Sequence, residues 1–296
     1  GKRKPKEGGR RRRPASGRMD RWRTWNAQKL PGRAVNRFVR GWLVTGRSSA
    51  LAAIEVHRTA CIVTHPPGGE RANHALVNPA NAQLVGTRFT PEECWRHLHG
   101  DPVTGRWDKE YVVYPTQAID GLVTEFGGDA LRAELETLPV DARGRRCPVG
   151  SAVATPAAHE LVELYGSIIH AVPPMYRKLE PSAWSDALTS TYHAAFEAAQ
   201  RAGLTTLAVP LLGAGACGAP KAAALTVAAE AAVSWSATAA AQATEPLTAR
   251  FGVQDSSTAH DLVDELEAAI ARAAADGGGV GFELAPRPVS ERWALG

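Results

Sequence analysis

A chain of 296 residues with 44% hydrophobic side chains can hold one large α/β domain with extensions, or two small domains. The net charge of +4 is unevenly spread: residues 1–47 carry 16 Lys+Arg against 2 Asp+Glu, and the remainder carries 18 against 28. This composition excludes a coreless chain, and no run of 18 uncharged apolar residues offers a membrane span, because the Ala-rich stretch after Lys221 contains Glu230 and reads as a packed helix.

Residues 1–17 are Lys, Arg, Gly and Pro without apolar periodicity, too polar to offset the chain entropy of folding, so a partner is expected to order them. Residues 18–47 interleave Arg with Trp22, Trp25, Phe38 and Trp42, placing charge for phosphates beside rings that can stack on bases. The basic residues expected to meet nucleic acid are Lys2, Arg3, Lys4, Lys6, Arg10, Arg11, Arg12, Arg13, Arg18, Arg21, Arg23 and Lys29. A solvated tail with one short helix docked on its own domain is the plainer reading of the same segment.

Beyond Ser49 the pattern alternates. Apolar runs predict strands at 51–63 and 74–78, a helix at 122–138, a strand at 150–155 with a helix at 156–165, and a strand at 167–172. A helix at 181–202, a strand at 204–210, an Ala-rich helix at 219–242, a strand near 247–254 and a helix at 258–275 complete the series. Alternating strands and helices imply an α/β fold whose largely parallel central sheet is covered on both faces. The division expected is a basic extension at 1–47, a domain at 48–275 and a flexible tail at 276–296. Residues 82–115, rich in His, Trp, Gly and Pro, read as an insertion within the domain.

Chemistry-bearing motifs fall at the predicted strand ends. ALVNPAN at 75–81 leaves a strand and puts Asn78 and Asn81 where open α/β sheets place ligands. AIDGLV at 118–123, CPVGSAVAT at 147–155, IIHAVPP at 168–174 and AVPLLGAGACGAP at 208–220 follow in order. The last is a strand running through Gly213, Ala214, Gly215, Ala216, Cys217 and Gly218 into a helix. Its glycines let backbone N–H groups approach a ligand, and the positive helix end suits a pyrophosphate. A tight turn without a ligand is the competing reading.

Each fragment alone is a weak signal; five in the correct order are a strong one, and together they resemble the macrodomain family. The resemblance implies a three-layer α/β/α macrodomain with a mixed, largely parallel sheet and ADP-ribose as a possible ligand. In related hydrolytic members the closing asparagine contacts the distal ribose and the aspartate of the second motif orients water; these roles fall on Asn81 and Asp120. There are also departures. Thirty-eight residues separate Asn81 from Asp120, with Thr116, Gln117 and Ala118 where glycines would cradle the diphosphate. Cys61-Ile62-Val63-Thr64 stands where an adenine-selecting carboxylate is usual, which removes a charge-assisted partner.

Other candidates weigh less. His170 at a strand end reads as a packed structural residue before a general base. Cys217 is either a reactive thiol beside a helix start or a small side chain tolerated in a turn. Cys61, Cys94, Cys147 and Cys217 show no CxxC spacing, and His97 and His99 lack companion ligands, so neither a metal nor a disulfide framework is expected, and a reducing compartment fits. The basic leader and the rebuilt first loop favour a non-catalytic structural component of a large ribonucleoprotein. The expectation is a mitochondrial ribosomal protein touching rRNA and neighbouring proteins, in the mitochondrial matrix or otherwise the cytoplasm, with no cofactor. The alternative is an ADP-ribose reader or ADP-ribosyl hydrolase using Asn81 and Asp120.

Overall fold

In the computed structural model the described residues are 36–45, 51–68, 70–86, 119–237, 246–277 and 280–285, with the backbone alone of 88–89, 106–107 and 112–113. In chain order the strands are β1 (Asn36–Thr45), β2 (Leu51–Thr59), β3 (His74–Pro79), β4 (Arg88–Phe89), β5 (Arg106–Trp107), β6 (Val112–Val113), β7 (Ala152–Pro156), β8 (Ser167–Ala171), β9 (Thr206–Val209), β10 (Leu247–Val253) and β11 (Gly281–Leu284). The helices are α1 (Ile119–Glu136), α2 (Pro181–Arg201), α3 (Lys221–Ala237) and α4 (Ser256–Ala275).

Eight strands form one sheet in the order β11-β1-β2-β10-β9-β3-β8-β7. The central run β2, β10, β9, β3, β8 is parallel throughout, and antiparallel pairs close both edges. Strands covered on both faces read as near-continuous apolar runs, and β9 (TLAV) is buried at every position. One face carries α2, α3 and α4 over Ile54, Val56, Val77, Leu207 and Phe251; the other carries α1 and the loop after β2 over Leu76, Ile168 and Ala208. The result is a three-layer α/β/α architecture.

The helices follow from their sequences. In α2 the buried Trp184, Leu188, Tyr192, Ala195, Phe196 and Ala199 recur at helical spacing, and Pro181 pre-sets the first turn. In α3 alanines dominate, and their small side chains let it pack between α2 and α4 with nine of its residues buried. At the start of α4 the Asp255 side chain accepts the Thr258 N–H at 2.7 Å and caps the helix.

Two elements lie in segments that the sequence reading placed outside the domain. β1 occupies the end of the expected basic extension, and Trp42, read as a stacking ring, is 5% exposed within the larger core. The bulge between Phe38 and Arg40 breaks the period-two alternation, and the exposed Arg37 and Arg40, the latter 3.2 Å from Glu267 of α4, imitate the polar leader before them. β11 falls in the expected flexible tail and pairs antiparallel with β1, Trp42 facing Leu284. The sheet therefore reaches from Asn36 to Leu284, beyond the 48–275 expected for the domain at both ends. Residues 1–35, which hold every basic residue assigned to nucleic acid together with Trp22 and Trp25, lie outside the described residues, as do 286–296.

Smaller differences have local causes. The strand expected over 51–63 ends at Thr59, where Thr59 Oγ1 donates to His65 O at 2.7 Å and turns the chain across the sheet face. The helix expected at 156–165 is a single 3-10 turn at His159–Glu163, because the antiparallel β7 and β8 need only a short connection. The insertion contributes a separate three-stranded sheet, order β4-β6-β5. Residues 82–86, read as the start of the insertion, form an ordered turn against α1.

Candidate ligand site

Because β2, β10, β9, β3 and β8 run the same way, their carboxyl ends open at one end of the sheet, where open α/β folds bind ligands. Asn78 near the end of β3 faces His170 of β8 in register, and the pairing continues one step further through Ala80 N–H to Ala171 O at 2.8 Å. Asp120 is the second residue of α1, where the helix dipole favours a carboxylate.

These side chains form a buried polar chain. Asn78 Nδ2 donates to Asp120 Oδ1 at 2.8 Å and lies 3.3 Å from His170 Nδ1, and His170 Nε2 meets Thr155 Oγ1 of β7 at 3.0 Å. An amide nitrogen can only donate, so His170 Nδ1 accepts and its single proton sits on Nε2, donated to Thr155. Burial lowers the His170 pKa to about 4, keeping the ring neutral near pH 7. His170 is thus a packed, hydrogen-bonded residue, as its strand position suggested.

Asn81 bonds within its own turn. Its Nδ2 donates to Gly86 O at 3.0 Å, its Oδ1 accepts from Val85 N at 3.3 Å, and its own carbonyl accepts from Leu84 N at 3.0 Å. The amide therefore clasps the turn 81–86, and it is Asn78 whose side chain bonds to Asp120. Gly86 is required there: with φ +75 a side chain is strained, and a Cβ would lie 2.3 Å from Thr124 Oγ1. Sequence reasoning missed Gly86 because it was absorbed into the insertion; the signal available was a glycine five residues after a turn asparagine. Thr116, Gln117 and Ala118 lie outside the described residues.

The second loop is built as its glycines suggest. Gly213 is buried with φ +85 and Gly218 has φ +76, while Gly215 and Ala216 are exposed. Its internal bonds are Gly218 N–H to Gly215 O at 2.9 Å and Ala219 N–H to Gly213 O at 3.1 Å, and Cys217 O accepts from Tyr176 N. Among the described residues the N–H groups of Ala214, Gly215, Ala216 and Cys217 donate to no main-chain acceptor, which leaves an open amide turn just before α3. Lys221, the first residue of α3, pairs instead with Asp261 at 3.1 Å. Cys217 is half-buried, and burial raises its thiol pKa. At the end of β2, Cys61, Ile62, Val63 and Thr64 are all buried, and no carboxylate lies among 60–68.

Among the described residues no group of three His, Cys, Asp or Glu could hold a metal, and no helix is long and apolar enough to cross a membrane.

The family model described as Macro domain matches residues 77–228, just over half of the chain. The chain belongs to the macrodomain family. Solved structures similar to this macrodomain include the Oceanobacillus iheyensis macrodomain with ADP, at 17% identity and a TM-score of 0.53, the match covering 78% of this chain and 98% of that one. The same protein with MES bound gives 17%, 0.53, 78% and 99%, and a mutant of it with ADPR gives 17%, 0.53, 77% and 99%. At this identity the likeness shows the shared fold, and the five motifs from ALVNPAN to AVPLLGAGACGAP fall inside the matched segment except for Ala75 and Leu76.

Proposed function

We propose that this macrodomain binds ADP-ribose, free or attached to a macromolecule, with the diphosphate on the turn 213–218 and the distal ribose beside Asp120. The observation that carries this is the meeting of two features at one end of the parallel sheet: an amide turn with unengaged N–H groups, and a carboxylate fixed by Asn78. Such a turn at a helix start suits a pyrophosphate, and Oceanobacillus relatives of this fold hold ADP and ADPR. Asp120 can orient water at the distal ribose, which makes removal of ADP-ribosyl groups the accompanying reaction. Asn81 serves it by shaping the adjoining turn. Without a carboxylate at 61–64, base selectivity is low.

Gly215 gives a clean test, because no atom lies within 4 Å of where its Cβ would be and its φ is not in the left-handed region. Gly215→Glu sets a negative charge in the turn without strain. Calorimetry should find wild-type affinity on the order of micromolar and none measurable in Gly215→Glu. Wild-type binding no tighter than millimolar refutes the reading.

A second reading rests on the charge of residues 1–47 and assigns them to RNA. Deleting residues 1–35, which spares β1, should abolish RNA association and its salt dependence. Neither the fold nor the comparisons support the ribosomal or mitochondrial expectation.

A further inference from the structure

The Asn78 amide is oriented at a cost. Its Oδ1 is buried with no hydrogen-bond partner among the described residues, and an unmet buried acceptor is unfavourable. Rotating the amide by half a turn would set that oxygen against the Asp120 carboxylate and the lone pair of His170 Nδ1. The fold therefore leaves Oδ1 unmet and keeps the two Nδ2 hydrogens on His170 and Asp120. The four members, Thr155, His170, Asn78 and Asp120, come from β7, β8, β3 and α1, so the chain of bonds spans three adjacent strands and ends on the helix that lines the site. The bonds are linked: Asn78 Nδ2 donates to both His170 Nδ1 and Asp120 Oδ1, which leaves the His170 proton on Nε2, and the Thr155 hydroxyl, able to accept it, holds the ring in place.

We propose that His170 is a positioning residue which, through Asn78, fixes the Asp120 carboxylate for the distal ribose of the ligand; this rests on the ligand reading above. Its action is confined to one end of the ligand. ADP lacks the distal ribose and needs only the amide turn, whereas ADP-ribose needs both ends, so the pair of ligands separates positioning from general damage to the fold.

Three variants are compared by calorimetry with ADP and ADP-ribose. His170→Leu removes the acceptor for Asn78 and should weaken ADP-ribose by about tenfold, the loss of one buried hydrogen bond, while leaving ADP within about threefold. His170→Asn places a carbonyl oxygen near the position of Nδ1 and should recover most of the loss. Thr155→Val, a smaller change at the far end, should shift ADP-ribose in the same direction by less. Independently of any variant, the 15N imidazole spectrum of the wild-type protein at neutral pH should show His170 protonated on Nε2 and bare at Nδ1. Equal weakening of both ligands, no change in either, or a proton on Nδ1 overturns the positioning role. Failure of the wild-type protein to bind either ligand overturns the ligand reading, and this inference with it.

Discussion

Replacing Trp42 with alanine tests where the domain begins. The indole is 5% exposed and packs in the core cluster shared by the sheet and α2, α3 and α4. A buried Trp removes roughly 150–250 Å² from water, which at about 25 cal/mol per Å² is about 4–6 kcal/mol before relaxation. Truncations of this kind cost about 3–5 kcal/mol, a large share of a total stability of about 5–15 kcal/mol. The loss should reach beyond the one side chain, since β11 joins the sheet only through β1. Urea unfolding of the full chain, followed by circular dichroism, should show the midpoint falling with the slope unchanged. Arg37→Ala on the same strand is exposed and should stay within about 0.5 kcal/mol of wild type. A cost for Trp42→Ala below about 1 kcal/mol, accompanied by weakened RNA association, would return β1 to the basic arm and refute the packing argument.

Gly128 bends α1 with φ 57 and ψ −153, a region open essentially to glycine, so Gly128→Ala should cost about 1–3 kcal/mol in the same assay. Asp255→Ala removes the cap of α4 and should cost about 1 kcal/mol. The Thr258 N–H, with further hydrogen bonds from Ser257 and Thr258 and the Lys221 charge, holds the Asp255 carboxyl at about 2, so the wild-type advantage is present above about pH 4 and fades as pH falls towards 2; a pH-independent gap would contradict it. Burial pushes the Glu55 carboxyl up, but the hydrogen bond from His57 and the charge of Arg250, whose Nε is 2.8 Å away, outweigh it and leave it below its ordinary value. Arg250→Met leaves that buried carboxylate with only its His57 hydrogen bond and should cost about 1.5–3 kcal/mol near pH 7. The penalty should shrink as pH falls and Glu55 takes up a proton; a gap that widens in acid would refute the pairing.

The fold was legible wherever burial forced a periodic pattern. β8, β9, β10, α2 and α4 lie within a few residues of their predicted ranges because both faces of a central strand, or one stripe of a helix, must be apolar. The edges were hidden for the opposite reason. Only Gly41 and Trp42 of β1 are buried, its alternation is broken by a bulge, and its exposed arginines continue the composition of the leader. β11 is four residues long and mostly exposed, so nothing in its own sequence demands a sheet. The 3-10 turn at 159–163 has a helix-like pattern because Leu161 is buried against the α1 side of the sheet, a tertiary demand that local pattern cannot separate from helix formation.

At the site, residue types were legible and their partners were not. ALVNPAN marks a strand end with two asparagines, yet nothing in seven letters says which amide turns inward. That choice is made by backbone geometry: β3 stays paired through Pro79, which keeps Asn78 inside the sheet facing His170, and the chain then turns so that Asn81 closes on Gly86. The residue bonded to Asp120 is therefore the one still held by strand pairing, and the residue that resemblance put at the ribose sits three positions on, with one N–H and its carbonyl oxygen engaged in its own turn. The glycine loop escaped this ambiguity because its role depends on backbone N–H groups. Side chains at Ala214, Ala216 and Cys217 hardly alter where those point, so the letters GAGACG before a helix mark the glycine turn to which the proposed function assigns the diphosphate.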